Sequence, residues 1–231
     1  GLHTKNTDFI LNNQSHFVIF YEDYIFKDFV VFVIKKIYCR IFQKIFKLAL
    51  PLLPYREPDI LENISDIPEI IIKNQCKKPI IVTDKGIVSL GLTNSLIEAL
   101  NQGKIDFALY DKTVPNPTTD NVAEALDLYK NQNCDCIIAF GGGSSMDCAK
   151  ALGACVAYPK KPLSKMKGIL KVVRKIPLLI AIPTTAGTGS ETTLAAVITD
   201  SKTRHKYAIN DFDLIPNYTI LDAKLTVGLP K

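Results

Sequence analysis

Three consecutive glycines, Gly141, Gly142 and Gly143, stand between the apolar run Cys136-Ile-Ile-Ala-Phe140 and a helix-forming stretch that opens Ser144-Ser-Met-Asp147. Glycine lacks a Cβ and reaches positive φ, so an anion can rest on main-chain N–H groups at the positive end of a helix dipole. The spacing predicts a strand, a tight turn and a helix, with Ser144 as its N-cap and Asp147 closing a capping box. A phosphate or pyrophosphate suits such a turn, although glycines also serve strand-to-helix turns that bind nothing. The run is neither a P-loop, G-x-x-x-x-G-K-[ST], nor the dinucleotide fingerprint G-x-G-x-x-G.

A second turn has similar chemistry. The apolar run Pro177-Leu-Leu-Ile-Ala-Ile-Pro183 leads into Thr184-Thr-Ala-Gly-Thr-Gly-Ser190-Glu191, which presents four hydroxyls and two glycines at a strand end. Two such turns side by side match the length of a dinucleotide. Asp84 follows another apolar run, Pro79-Ile-Ile-Val-Thr83. A carboxylate there can accept both ribose hydroxyls of an adenosine, and its charge repels a 2′-phosphate, which favours NAD over NADP. The same residue can equally cap the helix that follows, and it precedes the glycines, whereas the acid of the usual fingerprint follows them.

These residues need elements to hold them. Apolar runs at 79–83, 107–110, 136–140 and 177–183 are predicted strands. Between them lie helical patterns through Leu92, Leu96 and Leu100, through Val122, Leu126 and Tyr129, and from the glycine turn to about Val156. Continuously apolar strands alternating with amphipathic helices signify α/β architecture, a parallel sheet covered on both faces, with ligands bound at the strands' carboxyl ends. Lys160 to Lys175 contains seven basic residues and no interleaved aromatics to stack bases, so it is expected to be a solvated connection.

The 231 residues, 47% hydrophobic, can bury one substantial core or two modest ones, and a net charge of +5 spread along the chain is no nucleic-acid footprint. Six cysteines without a C-x-x-C pair fit a reduced, cytoplasmic interior, and His3, His16 and His205 lie too far apart for a local zinc motif. Residues 1–28 show no clear period. Within Phe29 to Leu50, Ile37, Ile41, Ile45 and Leu48 oppose Lys36, Arg40, Lys44 and Lys47, which predicts a basic amphipathic helix. Its apolar stripe suits packing on the protein body or a second subunit better than an anionic membrane surface, and Lys35 and Lys36 interrupt any span. The stretch Pro51 to Pro58 is expected to link residues 1–55, an extension, to an α/β domain at 56–231. An opening Gly and an ending at Leu229-Pro-Lys231 suggest a fragment.

In order along the chain, Ile81-Val-Thr-Asp84, Pro115-Asn-Pro117, Gly141 to Lys150, Pro183 to Glu191, Val197-Ile-Thr-Asp200, Lys206-Tyr-Ala-Ile209 and Ile220-Leu-Asp222 resemble the iron-containing (group III) alcohol dehydrogenases. The glycine turn is shared with glycerol dehydrogenase and dehydroquinate synthase, whereas P-T-T-A-G-T-G-S-E is more characteristic of the alcohol dehydrogenases. The resemblance implies a Rossmann-like parallel sheet with helices on both faces, and NAD as cofactor. It implies that Asp84 holds the adenosine ribose, with Asn116 on the adenosine side. Gly142, Gly143 and Ser144, with Asp147 nearby, would bind pyrophosphate. Thr184, Thr185 and Thr188 would meet the phosphates and the nicotinamide half, and Lys206 the nicotinamide ribose. It further implies a small alcohol or aldehyde substrate, while the apolar stripe of the basic helix leaves room for a homo-oligomer. Fe²⁺, or Zn²⁺, would be held by an Asp and three His of a following all-helical domain that this sequence does not reach, so the fragment is expected to lack turnover.

Two other readings compete. Pro183-Thr-Thr-Ala-Gly187-Thr-Gly-Ser190 resembles the P-x-x-x-G-L-x-S-S loop of small-molecule kinases, with Thr188 and Glu191 as departures and Glu191 opposing a triphosphate. A non-catalytic nucleotide-binding protein anchored by the basic helix is the other.

Overall fold

Strands apolar at every position cannot face water on either side, so Pro79-Ile-Ile-Val82 and Cys136-Ile-Ile-Ala-Phe140 must lie inside a sheet with both faces covered. A computed structural model, which describes residues 33–45, 47–48 and 55–227, shows how. The chain divides between Pro54 and Tyr55 into two units. The first contains helix α1 (residues 33–45 and 47–48). The remainder of the basic stretch predicted from Phe29 to Leu50, and residues 1–28, lie outside the described residues. No helix among the described residues is long and apolar enough to cross a membrane.

The second unit runs β1 (Asp59–Leu61), α2 (Ile67–Lys73), β2 (Pro79–Val82), α3 (Lys85–Ser89), α4 (Asn94–Gln102), β3 (Ala108–Tyr110), α5 (Thr119–Asn131), β4 (Cys136–Gly141) and α6 (Gly143–Ala157). It continues through β5 (Gly168–Ile169), β6 (Leu178–Pro183), β7 (Ala195–Thr199), β8 (Lys206–Asn210) and β9 (Tyr218–Ile220). Six strands form one sheet in the order β1-β9-β6-β4-β2-β3. Every pair in it is parallel.

Alternation decides which face each side chain serves. Ile80, Val82, Ile137, Ala139, Leu179 and Ala181 enter one buried cluster with α5 and α6. Ile81, Ile138, Phe140, Ile180 and Ile182 enter the other, with Ile67, Ile70 and Ile71 of α2 and Leu96 and Leu100 of α4. This is the predicted Rossmann-like sheet with helices on both faces.

Two local expectations differ. The helical pattern through Leu92, Leu96 and Leu100 is split into α3 and α4, because Gly91 at φ 68° takes a left-handed turn between them. The lysine-rich segment 160–175 is more than a solvated connection. It buries Met166 and Val172 and supplies β5 to a second sheet of order β5-β8-β7, in which β7 and β8 are antiparallel. That sheet explains why α6 is buried nearly all round. Ala149, Ala151, Gly153 and Ala154 let the helix lie close to both layers, and a Cβ on Gly153 would stand 3.0 Å from Ile176 Cδ1.

Phe140 is fully buried next to the glycine turn. Phe140→Ala is expected to lower stability by about 3–5 kcal/mol, measured as a fall in the midpoint of urea unfolding with unchanged slope.

Candidate functional site

Parallel neighbours end at the same rim, so the register between β4 and β6 decides what the two turns can do together. Gly141 pairs with Pro183, and the Thr184 N–H donates to the Gly141 carbonyl at 3.0 Å. The turns are therefore joined at their first residues. Gly141 has φ 142°, and a Cβ there would lie 2.6 Å from Ser145 Oγ and 3.8 Å from Asp84 Oδ2. Only glycine fits.

Beyond this joint opens a cleft of about 840 Å³, within the range of small-molecule sites. Gly142, Gly143 and Ser144 line it from β4, and Thr184, Thr185 and Thr188 from β6. Asp84 lines it from the end of β2. A Cβ on Gly142 would meet Thr185 at 3.4 Å, and one on Gly143 would meet Ser190 Oγ at 3.3 Å, so side chains there would fill the space between the turns.

The predicted capping box is not formed. Gly142 is the N-cap of α6 and offers no side chain, and Ser144 lies inside the first turn. Its Oγ accepts instead from the Asn116 N–H at 3.2 Å. A helix start without a side-chain cap leaves its first N–H groups open to an anion. Ser145 Oγ and Thr184 Oγ1 line or border the same cleft, and both are buried without a hydrogen-bond partner. Exposed main chain plus unmatched hydroxyls fits a polar, phosphate-bearing ligand.

Asp84 does both things the sequence allowed. Its Oδ1 accepts from the Ile87 N–H at 3.0 Å as the N-cap of α3, while the residue faces the cleft. Asn116, Asp147 and Lys206 are not among the residues lining the cleft. Lys206 Nζ donates to Asn116 Oδ1 at 2.8 Å, which places that pair beside Ser144. Asp147 faces β7, where it takes a main-chain hydrogen bond from Val197.

Sequence reasoning did not find Lys150. It is fully buried in α6, and its Nζ donates to the carbonyls of Ser190 at 2.6 Å, Thr193 at 2.5 Å and Ala195 at 3.1 Å, and to Thr193 Oγ1 at 3.2 Å. Burial lowers its pKa to about 8, and the charges of Asp147 and Glu191 pull it back upward. One ammonium thus holds the chain that leaves the second turn. The available signal was a lysine set between Ala149 and Ala151, in a helix whose other charged residue is Asp147.

A parallel α/β sheet with a glycine-lined cleft across adjacent strand ends defines a Rossmann-like class of protein. The sequence model described as iron-containing alcohol dehydrogenase matches residues 61–223, and the chain belongs to that family. It is 39% identical over 154 residues to the NAD-dependent methanol dehydrogenase of Bacillus methanolicus, covering 67% of this chain and 40% of that protein. It is 36% identical over 155 residues to the lactaldehyde reductase of Escherichia coli (strain K12), with 67% and 41% covered. Among solved structures, 1,3-propanediol oxidoreductase superposes with a TM-score of 0.73 at 32% identity, covering 76% of this chain and 47% of that one. Sulfoacetaldehyde reductase from Bifidobacterium kashiwanohense, solved with NAD⁺, gives 0.66 at 29% identity, with 76% and 47% covered. The chain spans about 40% of the length of these curated relatives.

The iron implied by the family is a different matter. Among the described residues the one histidine is His205, which is exposed with Nε2 3.4 Å from Lys167 Nζ. The described residues therefore do not fit a site of one Asp and three His.

Two measurements probe the support beneath the cleft. Lys150→Met leaves three carbonyls without their donor and is expected to cost about 3–5 kcal/mol, with proteolysis appearing first between 184 and 195 in limited digestion. The part-buried Asp147 carboxyl is pushed up to about 6 by burial, against the Val197 hydrogen bond and the Lys150 charge. Between its ordinary 3.8 and 6 the folded chain holds a proton that the unfolded chain has released. The stability this group contributes is complete below that window and falls as pH rises through it. Asp147→Asn is expected to remove that component from the pH dependence of Tm.

Proposed function

We propose that this chain is the NAD-binding part of an iron-containing alcohol dehydrogenase that interconverts small alcohols with aldehydes or ketones. The observation that supports it most is the convergence of Asp84 and the two turns on one cleft. Along that cleft, Asp84 receives the adenosine ribose hydroxyls. The uncapped start of α6, at Gly142, Gly143 and Ser144, receives the pyrophosphate through main-chain N–H groups. Thr184 Oγ1, buried and unpartnered, turns its proton to a phosphate oxygen, with Thr185 and Thr188 continuing toward the nicotinamide half. Asn116 and Lys206, bonded to each other beside Ser144, close over the cofactor from the rim.

Bound nicotinamide supplies the hydride acceptor or donor. What these residues contribute is orientation, fixing the cofactor so that one ring face is presented for reaction. Because the described residues do not fit the metal, no step of alcohol activation is assigned to them, and the chain is proposed to bind NAD without turnover of its own. A kinase reading is less well supported, since Glu191 keeps a buried, unpartnered carboxylate oxygen close to the second turn, where a triphosphate would be repelled.

Titration calorimetry tests this with NAD, NADP and ATP-Mg²⁺. NAD alone is expected to bind appreciably. Asp84→Ser keeps a capping hydroxyl for α3 but removes the charge, so it is expected to weaken NAD by about tenfold, or ~1.4 kcal/mol, and to admit NADP. Preferential binding of ATP-Mg²⁺, or an Asp84→Ser variant with unchanged NAD affinity, would overturn the assignment. Stoichiometric iron with sustained NADH formation from an alcohol would refute the proposed lack of turnover.

A further inference from the structure

At the amino ends of β2 and β4, on the rim opposite the cleft, the fold gathers a second set of reactive groups. Cys76 is remote in sequence from the adjacent Asp135 and Cys136, yet the ligand atoms of all three lie within 4.8 Å of one another. Each is placed by backbone that leaves it little freedom. Helix α2 ends in a Schellman arrangement: Cys76 N–H donates to Ile71 O at 3.0 Å and Gln75 N–H to Ile72 O at 2.9 Å, with Gln75 at φ 59°. That left-handed residue, unusual when it is not glycine, turns Cys76 back toward the sheet. Cys136 is fully buried as the first residue of β4, paired with Pro79 of β2. Asp135 is oriented by two main-chain donors, Lys77 N to Oδ2 at 2.8 Å and Lys78 N to Oδ1 at 3.0 Å.

We propose that Cys76, Asp135 and Cys136 bind a soft divalent cation of the Zn²⁺ kind, which fastens the entry of β2 to β4. Two sulfurs and a carboxylate oxygen are the ligand types Zn²⁺ takes in tetrahedral sites. Three ligands at ~2.0–2.3 Å from one ion stand under about 4 Å apart, so from separations within 4.8 Å a small closure of the part-buried Cys76 and Asp135 side chains completes the site. Asp135 and Cys76 are both only part-buried, so water completes the fourth position. The two main-chain N–H donors to Asp135 act as the outer partners that fix a ligating carboxylate. Two thiolates and a carboxylate around a 2+ ion leave one negative charge, and Lys77 and Lys78 adjoin it. Binding releases the two thiol protons to solvent. Cys134 takes no part, because it belongs to the buried cluster on the other face of the sheet. The site is independent of the nucleotide cleft and of the catalytic iron implied by the family.

The full 231-residue chain, reduced with a phosphine and stripped with a chelator, is titrated with Zn²⁺ against a chromophoric competitor. One Zn²⁺ per chain is expected, and Cd²⁺ in its place should give the ultraviolet charge-transfer band of two thiolates. Cys76→Ser and Cys136→Ala should each abolish stoichiometric uptake. Asp135→Asn should weaken it by at least about tenfold, the scale on which even outer-shell changes register. Cys39→Ser and Cys134→Ala should leave it intact. Cys76 is half-buried outside regular structure, so its variant remains informative if Cys136→Ala fails to fold, with circular dichroism as the control. No uptake, or uptake unchanged in Cys76→Ser or in Asp135→Asn, would overturn the proposal.

Discussion

The site depends on the register of β4 against β6. Six consecutive pairs, from Cys136 with Leu178 to Gly141 with Pro183, bring both strands to their carboxyl ends at one level. One further hydrogen bond, Thr184 N to Gly141 O, carries the pairing past the last residue of β6. A slip of one residue would invert every side chain on the strand, sending Ile138 and Phe140 to the wrong face. It would also part the glycine turn from the threonine turn. The burial that stabilises the sheet and the geometry that forms the cleft are thus the same constraint.

That constraint needs support from outside the sheet, and α6 supplies it. The helix starts at the cleft with Gly143 and runs under the second sheet, with its small residues allowing close approach. Lys150 reaches the carbonyls of Ser190, Thr193 and Ala195 from within it, so the helix whose start lines the cleft also holds the chain leaving the second turn. Desolvating an ammonium is costly unless its donors are satisfied. Here four acceptors satisfy it, and the segment from the second turn into β7 is fixed as a result.

The central sheet was legible because its strands are apolar without interruption, a pattern that only double-sided burial explains. The first turn was legible because three consecutive glycines close an apolar run, and the second because four hydroxyls and two glycines follow another such run. The failures have physical causes as well. Ser144 looked like a cap, but the chain already turns at Gly141, and the N-cap falls two residues before Ser144, at Gly142. The second sheet was hidden because Lys206-Tyr-Ala-Ile-Asn210 alternates exposed and buried residues in an edge layer, a weaker signal than a continuous run. Lys150 was invisible because its partners are carbonyls, which every residue carries and no sequence displays.

The two rims of the sheet carry different chemistry for a reason rooted in parallel topology. At the carboxyl rim, strands give way to helix starts, so main-chain N–H groups and small residues accumulate where an anion can use them. At the amino rim, chains arrive from helix ends, where carbonyls dominate and an anionic ligand finds few donors. Asp135 makes use of two of the donors present there, Lys77 N and Lys78 N, and so carries negative charge to a place where phosphate would be unwelcome. A sheet of this kind is polarised along its strands. The proposed anion site at one end and the proposed cation site at the other both follow from that single direction.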